Sequence, residues 1–433
     1  LATVADAADT RTFNYRSDLK LDNETFGAFY NSKVLTMTYD TTTPGRPTGW
    51  SFNGSSTVGE TIGYDGATGR PSTIGGGLGG SSTTFALGYA GGTDLESSVT
   101  NGSYTRSTPL VSRYDVVASA TTSWSGNALG SFTASYTDNR GWRNGHSSGS
   151  SGGTPAGSWS KLLNLGDGVT ASFSFDGSGE LTGEPSPSWQ NAAGTADLGV
   201  RTWGWSYDLA GNRLTETNLS PTQTTSYAAD SLNRYSSITG LRAEPTYSYD
   251  ADGNLTQDGT WTYSYDAENR LISVTKSGQT LNFVYDYLGR RIRKTVTGTG
   301  AVDLKFLWNG WTLAADLQSD GSTIVRSYIW GPDQSGGGGH PGALLGTYNA
   351  SGSLSYAMAD ALGNIVGYLN ASGAVAAAVE YSPVGKGLNV YLSGVTLADY
   401  PIGFSGEYMD WETGTVVNRT SQPKHGEDQR ANS

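Results

Sequence analysis

The sequence predicts an all-β protein, an array of β-hairpins forming one long, coiled antiparallel sheet. Three observations predict it. A tyrosine–aspartate unit recurs along the chain, the residues before it alternate aromatic with small polar side chains, and the residues after it have turn chemistry. The composition agrees, with 61 Gly, 25 Tyr and 12 Trp but only 3 Met and no Cys in 433 residues.

The N-terminal units are the looser ones. Tyr39-Asp40 precedes Gly45-Arg46-Pro47, and Tyr64-Asp65-Gly66-Ala67-Thr68-Gly69-Arg70-Pro71 is nearly complete. Tyr39, Tyr64, Tyr89 and Tyr114 stand 25 residues apart, a spacing that fits one hairpin pair per unit. Tyr114-Asp115, Tyr136-Thr137-Asp138, Phe175-Asp176 and Tyr227-Ala228-Ala229-Asp230 read as degenerate copies. Four clear copies follow, at Tyr207-Asp208 with Gly211, Tyr249-Asp250 with Gly253, Tyr265-Asp266 with Asn269, and Tyr285-Asp286 with Gly289. Within one unit, Trp261-Thr262-Tyr263-Ser264-Tyr265 has the period-2 pattern of a strand with two unlike faces. The aspartate can accept a backbone N–H two residues on, and Gly or Asn takes a positive-φ position. The chain then re-enters an extended run such as Leu271-Ile272-Ser273-Val274-Thr275.

A lone hairpin is not stable, so the units must stack. Stacking in register predicts ladders of Tyr and Trp, each cross-strand aromatic pair contributing about 0.2–1 kcal/mol. Residues 1–300 read as the hairpin array, 301–414 as a segment continuous with that sheet, and 415–433 as a divergent tail. Two Gly/Ser-rich tracts, 147–157 and 335–339, read as long tips or connections.

Charged residues are only 15%, so Thr and Ser are expected at the outward strand positions. Net charge is −12, which argues against a nucleic-acid partner. The one basic run, Arg290-Arg291-Ile292-Arg293-Lys294, is expected on a solvated strand face. Without cysteine, no disulfide can hold the fold. No run reaches the roughly 18 apolar residues of a membrane helix, and a chain starting at Leu1 without a signal-peptide pattern reads as a fragment or processed piece.

Candidate chemistry is sparse. His146, His340 and His425 are scattered and support neither a nucleophilic triad nor a metal site. Gly149-Ser150-Ser151-Gly152-Gly153 and Gly75-Gly76-Gly77-Leu78-Gly79-Gly80 match a nucleophile elbow and a dinucleotide fingerprint only formally, as accidents of composition, because neither lies in the required strand-turn-helix context. Asp250-Ala251-Asp252-Gly253-Asn254 alternates oxygen ligands, but a calcium loop needs Gly at its sixth position and a carboxylate at its twelfth, where Trp261 stands. Asp266/Glu268 and Asp410/Glu412 lie on turns or one strand face, without a pocket to raise a pKa. The residues singled out are therefore structural: Tyr207, Asp208, Gly211, Tyr249, Asp250, Gly253, Tyr265, Asp266, Tyr285, Asp286 and Gly289. No catalytic, cofactor-binding or metal-binding set is assigned.

These units resemble the YD repeats of the RHS family of shell proteins, shared with the C component of insecticidal toxin complexes and with the animal teneurins. Tyr328-Ile329-Trp330-Gly331-Pro332-Asp333, Asp360-Ala361-Leu362-Gly363-Asn364, Gly373, Tyr381-Ser382-Pro383-Val384-Gly385, Phe404-Ser405-Gly406 and Asp410-Trp411-Glu412-Thr413-Gly414 follow in family order. The resemblance implies a coiled sheet wrapped into a hollow cage, a secreted or cell-surface setting, and a role enclosing the toxin of a polymorphic-toxin protein. Its implied partners are that cargo and the remaining shell segments. The family's tyrosine-rich stretch and Asp-Pro cleavage region are missing after Gly414, so self-cleavage and an attached toxin are not expected here. A glycan-binding adhesion module with exposed Trp and Tyr is the second reading, and a sheet that self-assembles through its edges is the third.

Overall fold

The computed structural model describes residues 2–136, 143–148, 169–184 in part, 203–240, 247–331, 344–417 and 423–425, apart from a few residues within these spans. Among them the regular structure is antiparallel strand with three short 3₁₀ turns. The expected single sheet is divided. A 14-stranded sheet runs from Ala2–Ala5 to Val169–Ser172, a six-stranded sheet from Ser174–Phe175 to Tyr235–Thr239, and a second 14-stranded sheet from Ser248–Tyr249 to Gly387–Leu392. A two-stranded excursion (Leu110–Val111 with Val116–Val117) and a three-stranded sheet (Tyr408–Asp410, Thr415–Val417, Pro423–His425) complete it. In each large sheet the strands lie side by side in chain order, so consecutive strands are joined by hairpins rather than crossovers.

The period-2 pattern places side chains as expected. On Val34–Tyr39, Leu35 is buried while Thr36 and Thr38 face out. A feature absent from the sequence reading recurs at the tyrosines. The register shifts at Thr38/Tyr39, Gly63/Tyr64, Gly88/Tyr89, Ser206/Tyr207, Ser248/Tyr249, Ser264/Tyr265 and Val284/Tyr285. Each shift is a β-bulge, which bends the strand and adds right-handed twist. A bulge at every unit coils the sheet in small, equal increments.

The two 14-stranded sheets meet face to face over one core. That core joins Leu35, Phe52, Ile74, Phe85 and Phe132 of the first to Leu307, Leu317, Ile329, Leu345 and Met358 of the second. Where they meet, the space is filled by side chains rather than left hollow. Hydrogen bonds cross it: Tyr30 donates to the Phe306 carbonyl at 2.6 Å, Tyr104 to the Ala357 carbonyl at 2.8 Å, and Arg106 to the Leu344 carbonyl at 2.9 Å. The glycine run at 75–80, set aside above as compositional, has a packing reason. Gly75-Gly76-Gly77-Leu78 lies within the strand Pro71–Leu78, and a Cβ on Gly76 would stand 2.3 Å from Cγ1 of Ile329 in the opposite sheet.

Tract 335–339, His340 and Tyr114-Asp115 lie outside the described residues, as do the nucleophile-elbow match and most of tract 147–157. The strand Arg291–Gly298 pairs with Val302–Asn309, so pairing runs past residue 300 without a break. In the tail, Thr415–Val417 pairs with Tyr408–Asp410 on one side and Pro423–His425 on the other.

Candidate functional site

Two constructions concentrate the polar chemistry: the repeat turn, copied along the wall, and a buried charge cluster at the C-terminal end.

The turn is built outward from its aspartate. Asp208 Oδ1 accepts the N–H of Ala210 at 2.9 Å and of Asn212 at 2.8 Å, while Oδ2 accepts Asn212 Nδ2 at 2.8 Å. Asp250 does the same with Asp252 and Asn254, Asp266 with Glu268 and Arg270, and Asp286 with Leu288 and Arg290. The fourth residue of each turn stands at positive φ, as at Gly211 (82°), Gly253 (88°) and Gly289 (77°). A side chain there other than Asn or Asp would strain the backbone. Asn269 takes this position in the third turn at 59°. Both oxygens of Asp250 are thus engaged within its own turn.

The tyrosines do not form the expected aromatic ladder. Each of several hydroxyls reaches back to the residue just after the preceding turn: Tyr249 to the Tyr235 carbonyl at 2.8 Å, Tyr285 to Leu271 at 2.7 Å, Tyr64 to Pro47 and Tyr89 to Pro71, both at 2.6 Å. A guanidinium from the preceding turn covers each of these rings. Arg234 lies 4.8 Å from the Tyr249 centroid, Arg270 5.3 Å from Tyr285, Arg46 4.3 Å from Tyr64 and Arg70 5.7 Å from Tyr89. The rungs therefore alternate arginine with tyrosine, each contact contributing about 0.5–2 kcal/mol. The bulge aims each ring toward the neighbouring turn, and period-2 reasoning cannot see a bulge. Where Asn replaces the turn arginine, turns join through amides: Asn212 to Asn233 at 2.9 Å and Asn254 to Asn269 at 2.8 Å.

Asp286 departs from its siblings. It is 1% exposed and takes both Arg290 at 2.6 Å and, from the N-terminal sheet, Arg11 at 3.3 Å. Arg11 also pairs with Glu24 at 3.1 Å. This turn fastens the two large sheets together.

The basic run overturns the expectation of a solvated face. Arg290, Arg291 and Lys294 are 3%, 6% and 3% exposed, Ile292 is fully buried, and only Arg293 reaches solvent, paired with Asp303 at 2.6 Å. Arg291 grips Asp410 with two nitrogens at 2.6 and 3.2 Å, and Lys294 bridges Asp410 at 2.8 Å and Glu412 at 2.6 Å. The Arg291 guanidinium lies 5.0–5.2 Å from the rings of Phe283, Phe306 and Tyr408. Burial alone would raise the Asp410 carboxyl, but Arg291 and Lys294 hold it below the ordinary range. Asp410 and Glu412, read above as isolated carboxylates, are the acidic half of this clasp. Beside it, Asp316 takes Arg326 at 2.7 Å and the Tyr328 hydroxyl at 2.9 Å. Burial outweighs these partners and raises its carboxyl, and Oδ1 has no hydrogen bond. A strand-facing run of bases cannot be distinguished by sequence from a buried one until its acids, more than a hundred residues downstream, are placed.

Of the residues singled out above, Tyr207, Tyr249, Tyr265 and Tyr285 stand at bulges, Asp208, Asp250, Asp266 and Asp286 close turns, and Gly211, Gly253 and Gly289 supply the positive φ. Bulged hairpins cross-linked turn to turn and closed by a clasp define a structural class: a shell wall built of YD repeats. A profile for the teneurin YD-shell matches residues 191–425, more than half of the chain, and the chain belongs to that family. It is 28% identical over 228 residues to the tRNA3(Ser)-specific nuclease WapA of Bacillus spizizenii, a stretch covering 51% of this chain and 9% of that protein. It is 28% identical over 284 residues to double-stranded DNA deaminase toxin A of Burkholderia cenocepacia, covering 58% of this chain and 19% of that protein. The chain thus spans a small part of these relatives. Among solved structures, TcdB2-TccC3 without its hypervariable C-terminal region overlays 97% of this chain and 26% of that one, with a TM-score of 0.47 and 11% identity.

Proposed function

We propose that this chain is a non-catalytic wall segment of a YD-repeat shell, enclosing or presenting a C-terminal toxin or effector carried elsewhere in the protein. One observation carries the reading. The polar chemistry of the described residues is spent on holding strands and turns together, from the Asp208-type turns to the Arg291–Asp410 clasp. Membership of the YD-shell family supports it. Two relatives are named for a nuclease and a deaminase toxin, and the matched stretch is under a fifth of either. What is shared is then the wall, and the chemistry in those names belongs to the remainder of those proteins. The partners would be the cargo and neighbouring shell segments, in a secreted or surface setting.

The test is protease protection. In the full-length protein, sequence following residue 433 should resist trypsin under conditions that digest the same segment expressed alone. Equal digestion of both would overturn the proposal. A glycan-binding reading needs exposed aromatic platforms, whereas Trp50, Trp203, Trp205, Trp261 and Trp330 are all buried.

A further inference from the structure

We infer that Glu60 couples the seam between the two large sheets to pH, so that the wall opens more readily as the medium turns from mildly acidic to mildly alkaline. Glu60 lies on the strand Thr57–Tyr64, in register with Trp50 on one side and Gly76 on the other. Gly76 is the position whose missing side chain admits Ile329 of the opposite sheet. The Glu60 carboxylate therefore sits where the sheets come closest. Its Oε2 accepts one hydrogen bond across the seam, from the backbone N–H of Trp330 at 3.3 Å. That N–H is free to point across because the register shifts between Ile329 and Trp330. The Trp330 indole is fixed separately, donating to the Leu313 carbonyl at 2.7 Å.

No cation answers Glu60. Pro47–Asn53 and Pro71–Leu78, which flank its strand, carry no charged residue. Ile324–Trp330 carries Arg326, which is taken by Asp316 together with Tyr328. Tyr328 and Trp330 belong to the core on the far face of the second sheet, whereas Ile329 belongs to the seam. Tyr348 also lines the seam core, and burial pushes its hydroxyl up to about 12, so it stays neutral throughout. A carboxylate with a single N–H partner and no counter-ion is disfavoured when removed from water. Burial accordingly pushes Glu60 up to about 8, the Trp330 N–H opposing only in part.

The sign of the linkage follows. With the seam closed Glu60 holds its proton to about pH 8, and with the seam open it behaves as an ordinary glutamate near 4.5. Between these values opening releases a proton, so the opening constant rises by up to tenfold per pH unit. Below the lower value and above the upper one it is flat.

Hydrogen exchange of the whole chain from pH 5 to 9, corrected for the intrinsic chemical rate, tests this. In the wild type, protection of 57–64, 71–78 and 324–330 should fall by up to about tenfold per unit between pH 6 and 8 and level off above. Glu60→Gln, which keeps the shape of the protonated acid, should abolish that fall and be at least about 100-fold better protected at pH 9. Glu60→Ala should also be flat over this range, whatever its overall protection. Constant protection in the wild type, or a wild-type pH dependence in either variant, would overturn the inference.

Discussion

At the scale of the residue, the aspartate of each unit does the most. Its two oxygens order four following residues, so the motif Asp-x-x-Gly-(Asn/Arg) was legible in the sequence as a turn. Its acid dependence is also determined. Asn212 and Arg234 hold Asp208 and Asp230 below their ordinary range, chiefly by side-chain hydrogen bonds. Burial alone would raise Asp320, but the hydroxyl and N–H of Thr323 and the N–H of Ser322 bring it down to about 2. A depressed carboxyl stabilises the fold above its unfolded value and ceases to do so as pH falls through the folded one. Circular dichroism should therefore show stability lost progressively below about pH 4. The siblings are not equal. Asp286→Ala strands Arg11 and Arg290 in the interior and should cost about 3–5 kcal/mol in urea unfolding, whereas Asp250→Ala, at an exposed turn, should cost much less. Ser405 stands at φ 55° with its N–H on Asn364 Oδ1 at 2.8 Å. Ser405→Gly should stabilise by about 0.5–1 kcal/mol, measured the same way.

At the scale of the element, hairpins were readable and their bulges were not. A bulge depends on how two strands are counted against each other, and only the paired structure supplies that count. The consequence is large, because it turns the Tyr285 ring toward Arg270 of the previous turn and replaces a Tyr–Tyr ladder with an Arg–Tyr one. The clasp was likewise hidden, since Arg291 and Lys294 look solvent-facing until Asp410 arrives 119 and 116 residues later. Asp410→Asn should leave two buried cations short of charge, destabilise by about 3–5 kcal/mol, and expose 400–417 to limited proteolysis before the sheets unfold. Simultaneous digestion of all segments would contradict a local clasp.

At the scale of the whole molecule, fold class and strand order were legible from the repeat alone. The division into two 14-stranded sheets and their face-to-face seam were not, because the period-2 pattern shows which face is buried but not against what. Gly76 illustrates the gap: in the sequence it is one of a run of glycines, and in the structure it is the space that Ile329 fills. Gly76→Val should destabilise by about 1–3 kcal/mol through overpacking. Ile329→Ala in that background should recover part of the loss, with a coupling of about 0.5–3 kcal/mol in a double-mutant cycle. The central claim is that the two sheets close directly on one another, and the absence of cysteine in the chain makes it simple to test. With cysteines placed at Gly76 and Ile329, mild oxidation should form one intramolecular disulfide in nearly every molecule, while a Gly76–Thr36 pair forms none. No cross-link at 76–329, or equal cross-linking of both pairs, would contradict the account.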